Sequence, residues 1–159
     1  MMQPITFTCA ETFIASPSEI SSNLLNLDKW CEFEGYGIMP GIKVAVFERE
    51  TPEVIGSIFR VSNSDGSTHT EEIVEWEPET RICLRMENFS PPLSRLSSHF
   101  LERWTFTPNK EANLVTRSFE LHPKHLITKP ALWLISFLLK KAIARQLQQM
   151  QDEFLNDKM

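Results

Sequence analysis

The sequence has no run long and apolar enough to span a membrane. Its longest apolar stretch, Ala131–Leu139, is interrupted by Ser136 and bounded by Pro130 and Lys140. It has no basic stripe either: 16 Lys and Arg stand against 21 Asp and Glu, for a net charge of -5. That balance argues against a nucleic-acid partner. Its three cysteines, Cys9, Cys31 and Cys83, are odd in number, widely spaced and without a CxxC pair. They fit neither a disulfide framework nor a zinc site, and reduced, buried thiols in a cytoplasmic protein are expected. Residues Met1 to Ala10 lack a basic n-region and an apolar h-region, so no signal peptide is expected. GxSxG, Walker A, GxGxxG and HExxH are all missing. No hydrolase, nucleotide or zinc-protease chemistry is therefore indicated, and no cofactor is expected. A single Tyr against eleven Phe and four Trp favours dry interiors over wet interfaces.

What is present is ordinary globular material. The chain of 159 residues is 42% hydrophobic and 23% charged, which predicts one domain over 1–159 with a core large enough to need no staple. Residues 3–14 alternate Ile5, Phe7, Cys9 and Phe13 with Thr6, Thr8, Ala10 and Thr12, the period of a strand. Ser16-Pro17-Ser18-Glu19 is a capping box with Pro at the first helical position, so a short helix follows. A second short helix is expected over Leu27–Glu34, ended by Gly35 and Gly37. Strands are then expected at 38–50, 54–62, 67–77, 80–87, 97–107 and 113–122, separated by turn-forming residues. Consecutive strands on short turns make an antiparallel meander. After Pro123 the period becomes helical. Leu132, Ile135, Leu139, Ile143, Leu147, Met150 and Phe154 form one stripe of a long helix running to about Asn156.

Hairpin arithmetic assigns faces. With Ser62 and Ser67 flanking one turn, Phe59 opposes Thr70; with Trp76 opposite Ile82, Val74 opposes Leu84. Both hairpins then put Thr70, Glu72, Val74 and Trp76 on the inner face with Ile82, Leu84 and Met86. Phe100, Glu102, Trp104 and Phe106 follow on the next strand, and Val115, Arg117, Phe119 and Leu121 on the last. An apolar sheet face and an apolar helix stripe must bury each other. The expected architecture is α+β: a curved antiparallel sheet of six or seven strands around a long C-terminal helix, with two short helices after the first strand.

The element order and several phrases resemble a known superfamily. These phrases are Phe13-Ile14-Ala15-Ser16-Pro17-Ser18-Glu19-Ile20, Leu27-Asp28-Lys29-Trp30, Glu71-Glu72-Ile73-Val74-Glu75-Trp76-Glu77-Pro78 and Glu102-Arg103-Trp104-Thr105-Phe106. Over essentially the whole chain the sequence resembles the START-related, pollen-allergen-like helix-grip superfamily, which includes polyketide cyclases and dehydratases and lipid-transfer domains. The resemblance implies a helix-grip fold with an internal cavity for a small hydrophobic molecule. It implies no catalytic residue, because that superfamily shares no catalytic signature.

The expected ligand-binding residues are Trp30, Phe33, Phe59, Glu72, Val74, Trp76, Leu84, Met86, Phe100, Glu102, Trp104, Arg117, Phe119, Leu139 and Ile143. Pairing Phe106 with Asn113 makes Glu102 face Arg117. Such an inward pair is either a polar anchor for a ligand or a structural ion pair near a barrel end. His69 and His99 fall on the outward parity, and His122 and His125 read as a solvated loop pair. Binding or carriage of a lipid, polyketide or aromatic ligand is the leading function. A cyclase- or dehydratase-type enzyme using Glu72, Glu102 or Arg117 is the alternative, and a regulatory partner protein with an exposed apolar patch is a third. The start of the long helix adds a separate question. Trp133, Leu134, Phe137 and Leu138 lie off the core stripe. The Asn88–Leu96 loop is the first expected cover, a second copy of the chain in a homodimer the next, and a membrane surface the last.

Overall fold

The computed structural model describes residues 2–157; Met1, Lys158 and Met159, which bound the expected domain, lie outside the described residues. Seven strands form one antiparallel sheet: β1 Ile5–Phe13, β2 Ile42–Arg49, β3 Ile58–Asn63, β4 Thr68–Glu77, β5 Arg81–Glu87, β6 Ser97–Asn109 and β7 Ala112–Pro123. Their order, β1-β7-β6-β5-β4-β3-β2, is a meander whose first strand crosses back beside the last. Helices α1 (Pro17–Leu24) and α2 (Leu27–Trp30) fill the crossover, α3 (Leu93–Leu96) follows β5, and α4 (Lys129–Asp157) closes the chain.

The local signals act as expected at α1. The Ser16 hydroxyl accepts from the Glu19 N–H at 3.2 Å, and the Glu19 carboxylate accepts from the Ser16 N–H at 2.7 Å. This reciprocal pair satisfies two of the helix's free donors. α2 is shorter than expected and ends at Trp30, because the chain turns into a tight loop. Tyr36 and Met39 exchange backbone hydrogen bonds of 2.9 Å. Gly35 holds φ +74, and a Cβ there would stand 2.1 Å from the Met39 carbonyl oxygen. Only glycine fits that approach.

α4 lies against the inner sheet face. Leu132, Leu139, Ile143 and Leu147 are buried there with Phe13, Phe119 and Leu121, so the expected stripe is the one that packs. At ~25 cal/mol per Å² of apolar area removed from water, this shared core dominates the stability.

Three register assignments are corrected. Around the Asn63–Ser67 turn, Ser62 opposes Thr68 and Phe59 opposes Glu71, one residue later than the arithmetic placed them. The loop is longer by one because Asp65 folds it: its Oδ1 accepts from the Ser67 N–H and hydroxyl at 2.9 and 2.6 Å. Trp76 does oppose Ile82, but a bulge between Ile73 and Glu75 leaves Val74 unpaired and puts Ile73 opposite Leu84. An extra residue reverses the facing of everything before it. Glu71 and Ile73 are therefore buried, Val74 is exposed and Glu72 lies on the outer face. His69, expected outward, points inward with them. The bulge lets both Ile73 and Trp76 reach the core, an arrangement a regular strand forbids. On β6 and β7, Phe106 opposes Val115 rather than Asn113, because the turn sits at Lys110, which takes φ +59. This slip is an even one, so every expected facing survives. His122 belongs to β7, its ring stacked on His99 at 4.2 Å. Of the cysteines, Cys9 and Cys83 are buried but Cys31 is exposed, with its thiol 3.2 Å from the Lys43 carbonyl oxygen.

Candidate functional site

Between the inner sheet face and α4 lies a cavity of about 700 Å³. Leu84, Met86, Phe100, Trp104 and Phe119 line its sheet side, Ile135, Leu139 and Ile143 its helix side, and Trp30 and Phe33 one end. Eleven of the expected ligand-binding residues are brought together here, the remaining two of that set being Glu102 and Arg117 beside the nine just named other than Ile135. Four stand elsewhere. Phe59 is buried in the core behind Trp30, with ring centroids 4.7 Å apart. Trp76 packs on the core away from the lumen, and Glu72 and Val74 are turned out by the slip and the bulge.

Two polar clusters interrupt the apolar wall. Glu102 on β6 and Arg117 on β7 are diagonal neighbours, since Glu102 opposes Phe119 and Trp104 opposes Arg117. The Arg117 Nε donates to Glu102 Oε2 at 2.6 Å, both side chains being almost fully buried. The guanidinium also donates to Gln146 Oε1 of α4, and it lies 4.2 Å from the Trp104 ring centroid. Flat stacking plus forked donation is the use of arginine that lysine does not reproduce. Burial pushes the Glu102 carboxyl above its usual range; Arg117 pulls it back and the Glu71 charge pushes it further up. The Trp104 indole N–H favours the charged form of Glu102 without making a hydrogen bond of regular geometry.

The second cluster was missed by parity. His69 Nε2 lies 2.9 Å from Glu71 Oε2, and both side chains are largely buried and line the cavity. Glu71 opposes Met86 and Glu102 opposes Leu84, so the two acids sit diagonally across β5. The signal that could have found this pair is the His-Thr-Glu spacing at 69–71, which places both residues on one strand face in any register.

The mouth is built by loops. Phe89 is buried against Phe100, ring centroids 4.8 Å apart. Ser90 is tied to Thr68 by two hydrogen bonds of 2.9 Å. These contacts hold Pro91, Pro92, Leu93 and Leu96 over the lumen opposite Ile38, Leu138 and Ile135. The loop thus caps the cavity and leaves Trp133, Leu134 and Phe137 exposed; of the four residues off the core stripe, Leu138 alone is drawn into the wall. At the other end Lys29 joins α2 to α4 through Glu153 at 3.4 Å. Among the described residues, no three His, Cys, Asp or Glu side chains gather to hold a metal ion. No helix among them is long and apolar enough to cross a membrane.

A curved antiparallel sheet gripping a long helix around a cavity is the helix-grip architecture. A family model described as polyketide cyclase / dehydrase and lipid transport matches residues 6–154, and the chain belongs to that family. No curated protein matches the sequence. Among solved structures, the ginseng major latex-like protein 151 from Panax ginseng aligns with TM-score 0.68 at 15% identity, covering 94% of this chain and 99% of that one. The di-domain ARO/CYC StfQ from the steffimycin biosynthetic pathway aligns with TM-score 0.73 at 16% identity over 98% of this chain. This chain spans about half of that protein, 52% of its length. A START superfamily protein from Mycobacterium smegmatis aligns with TM-score 0.60 at 14% identity, covering 91% and 98%. At these identities the likeness is one of fold.

Proposed function

We propose that this protein binds one small, mostly apolar molecule carrying a polar group, with the apolar body in the cavity and the polar group beside Glu71–His69 or Glu102–Arg117. The observation that carries this reading is the cavity itself: about 700 Å³, within the range of small-molecule sites, apolar over most of its wall and with polar side chains converging from one face. Burying the ligand's apolar surface supplies affinity, and the buried polar groups select against ligands that leave them unpaired. Membership of a family whose description includes lipid transport supports it too. An apolar fluorescent probe should bind at about one per chain and be displaced by excess lipid or flavonoid. Met86→Trp, which puts bulk into the lumen, should weaken binding at least about tenfold, a pocket effect of ~1.4 kcal/mol. Absence of saturable binding by folded protein would overturn the reading.

One observation favours a second reading, catalysis of the cyclase or dehydratase kind. Glu102 is a buried carboxyl raised above its usual range, the direction that favours a carboxyl as proton donor. In that case Glu102→Gln abolishes turnover of a polyketide-like substrate while probe binding persists. If binding and carriage are the whole function, the same variant changes affinity alone.

A further inference from the structure

We infer that the start of α4 and the turn before it form a docking face for an anionic lipid bilayer, set at the mouth of the cavity. Trp133 and Phe137, one turn apart, are 61% and 56% exposed, and Leu134 beside them is 56% exposed. Their helix face is opposite the stripe that packs on the sheet. The patch continues off the helix: Leu126, Lys129, Pro130 and Trp133 border one shallow depression, and Ile127 next to it is 87% exposed. Solvent-facing aromatic and aliphatic side chains gathered this densely mark an interaction surface.

Charge decides what the surface meets. From Leu121 to Gln151 the sequence contains no Asp or Glu, yet it carries Lys124, Lys129, Lys140, Lys141 and Arg145, in a chain of net charge -5. Arg145 is engaged with Glu34. The other four make no ion pair among the described residues, and Lys141 lies 5.6 Å from the Phe137 ring centroid. Lysines bordering Trp, Phe and Leu are the composition of a face that rests in a lipid headgroup region, rings below and ammonium groups at the phosphates. A second copy of the chain fits less well. Two-fold pairing sets a patch against itself, which would bring these unneutralised lysines together.

Position gives the face a use. Leu138, one turn beyond Leu134, is in the cavity wall, and its Cδ2 stands 3.7 Å from where a Cβ on Gly37 would be. Ile38 is 82% exposed and also borders the cavity. A bilayer seated on Trp133, Leu134 and Phe137 therefore adjoins the opening, so an apolar molecule passes between membrane and lumen with little exposure to water.

The test is co-sedimentation of the full chain, as purified, with vesicles of phosphatidylcholine alone or mixed with phosphatidylglycerol, at low and high salt. Binding is expected to the mixed vesicles, weakened by salt. Each lysine near an anionic surface is worth about a fivefold change in affinity. Lys140→Glu with Lys141→Glu should therefore lower binding at least about tenfold, as should Trp133→Ser with Phe137→Ser through lost insertion. Both variants should keep the wild-type circular dichroism, because the altered side chains are exposed. Failure of the folded wild type to bind mixed vesicles overturns the inference, as does wild-type binding by either variant. A dimer that Trp133→Ser with Phe137→Ser converts to monomer would assign the face to a second copy instead. Vesicle binding is read without a cavity ligand, so its outcome is separate from that of the probe experiment.

Discussion

Two acids share one cavity, and their partners make them different devices. Glu102 is held by Arg117, a permanent cation that also stacks on Trp104 and reaches Gln146 on α4. Glu71 is held by His69, whose charge depends on protonation. The first cluster ties sheet to helix at the centre of the structure. The second sits on β4 next to the loops of the mouth and bonds to nothing on α4. A buried guanidinium–carboxylate pair costs much to disturb, whereas a single hydrogen bond contributes less and can be exchanged for one to a ligand. On the proposed ligand-binding reading, Glu102–Arg117 mainly anchors the fold and Glu71–His69 is the more adjustable partner for a ligand's polar group.

The largest effect should come from Arg117. Arg117→Ala leaves the buried Glu102 carboxyl without its partner and should destabilise by on the order of 3 kcal/mol in urea denaturation. Adding Glu102→Gln should restore part of the loss. Single-mutant costs under about 0.5 kcal/mol would place the pair among solvated surface bridges and erase the contrast. At the second cluster, Glu71→Gln should cost about 1 kcal/mol, the scale of one hydrogen bond, but shift probe affinity more than Arg117→Lys does. If stability falls as far as for Arg117→Ala, the two clusters are equivalent.

A smaller effect concerns pH. Because burial raises Glu102 in the folded state, folding favours its neutral form. That contribution is complete below the unfolded value of 4.5 and is lost as pH rises through the higher folded value. Glu102→Gln should flatten this decline, measured as the urea midpoint against pH from 4.5 upward; an unchanged slope would show that Arg117 outweighs burial. The smallest effect belongs to the outer sheet face, where His99 and His122 stack in partial contact with water. Burial first, then Arg85 and His122, lowers His99 below 6.5. Its stabilising neutral form is complete above pH 6.5 and lost as pH falls through the folded value. His99→Asn should remove a slight loss of melting temperature on acidification, and a loss as steep as that of any inner-face group would break the distinction between faces.

Much of this was legible in residue order. The period change after Pro123, the box at Ser16–Glu19 and the alternation on β6 and β7 are local patterns that local physics reads directly. The Glu102–Arg117 pair survived a wrong pairing of Phe106 because that slip was even, and facing depends on parity alone. Glu71–His69 was lost to two single-residue events, the Asp65-folded turn and the Val74 bulge.

By itself the sequence determined the meander, the gripping helix, its core stripe and the inward charge pair, because each follows from a repeat that the backbone must obey. Only the tertiary structure decided which β4 residues face the lumen, that the Asn88–Leu96 loop covers the mouth, and that Trp133, Leu134 and Phe137 stay uncovered. A bulge is placed by the competing demand of Ile73 and Trp76 for one core. The reach of a loop is set by what anchors it, here Phe89 on Phe100 and Ser90 on Thr68. Both depend on contacts between residues far apart in the chain, which no local period encodes.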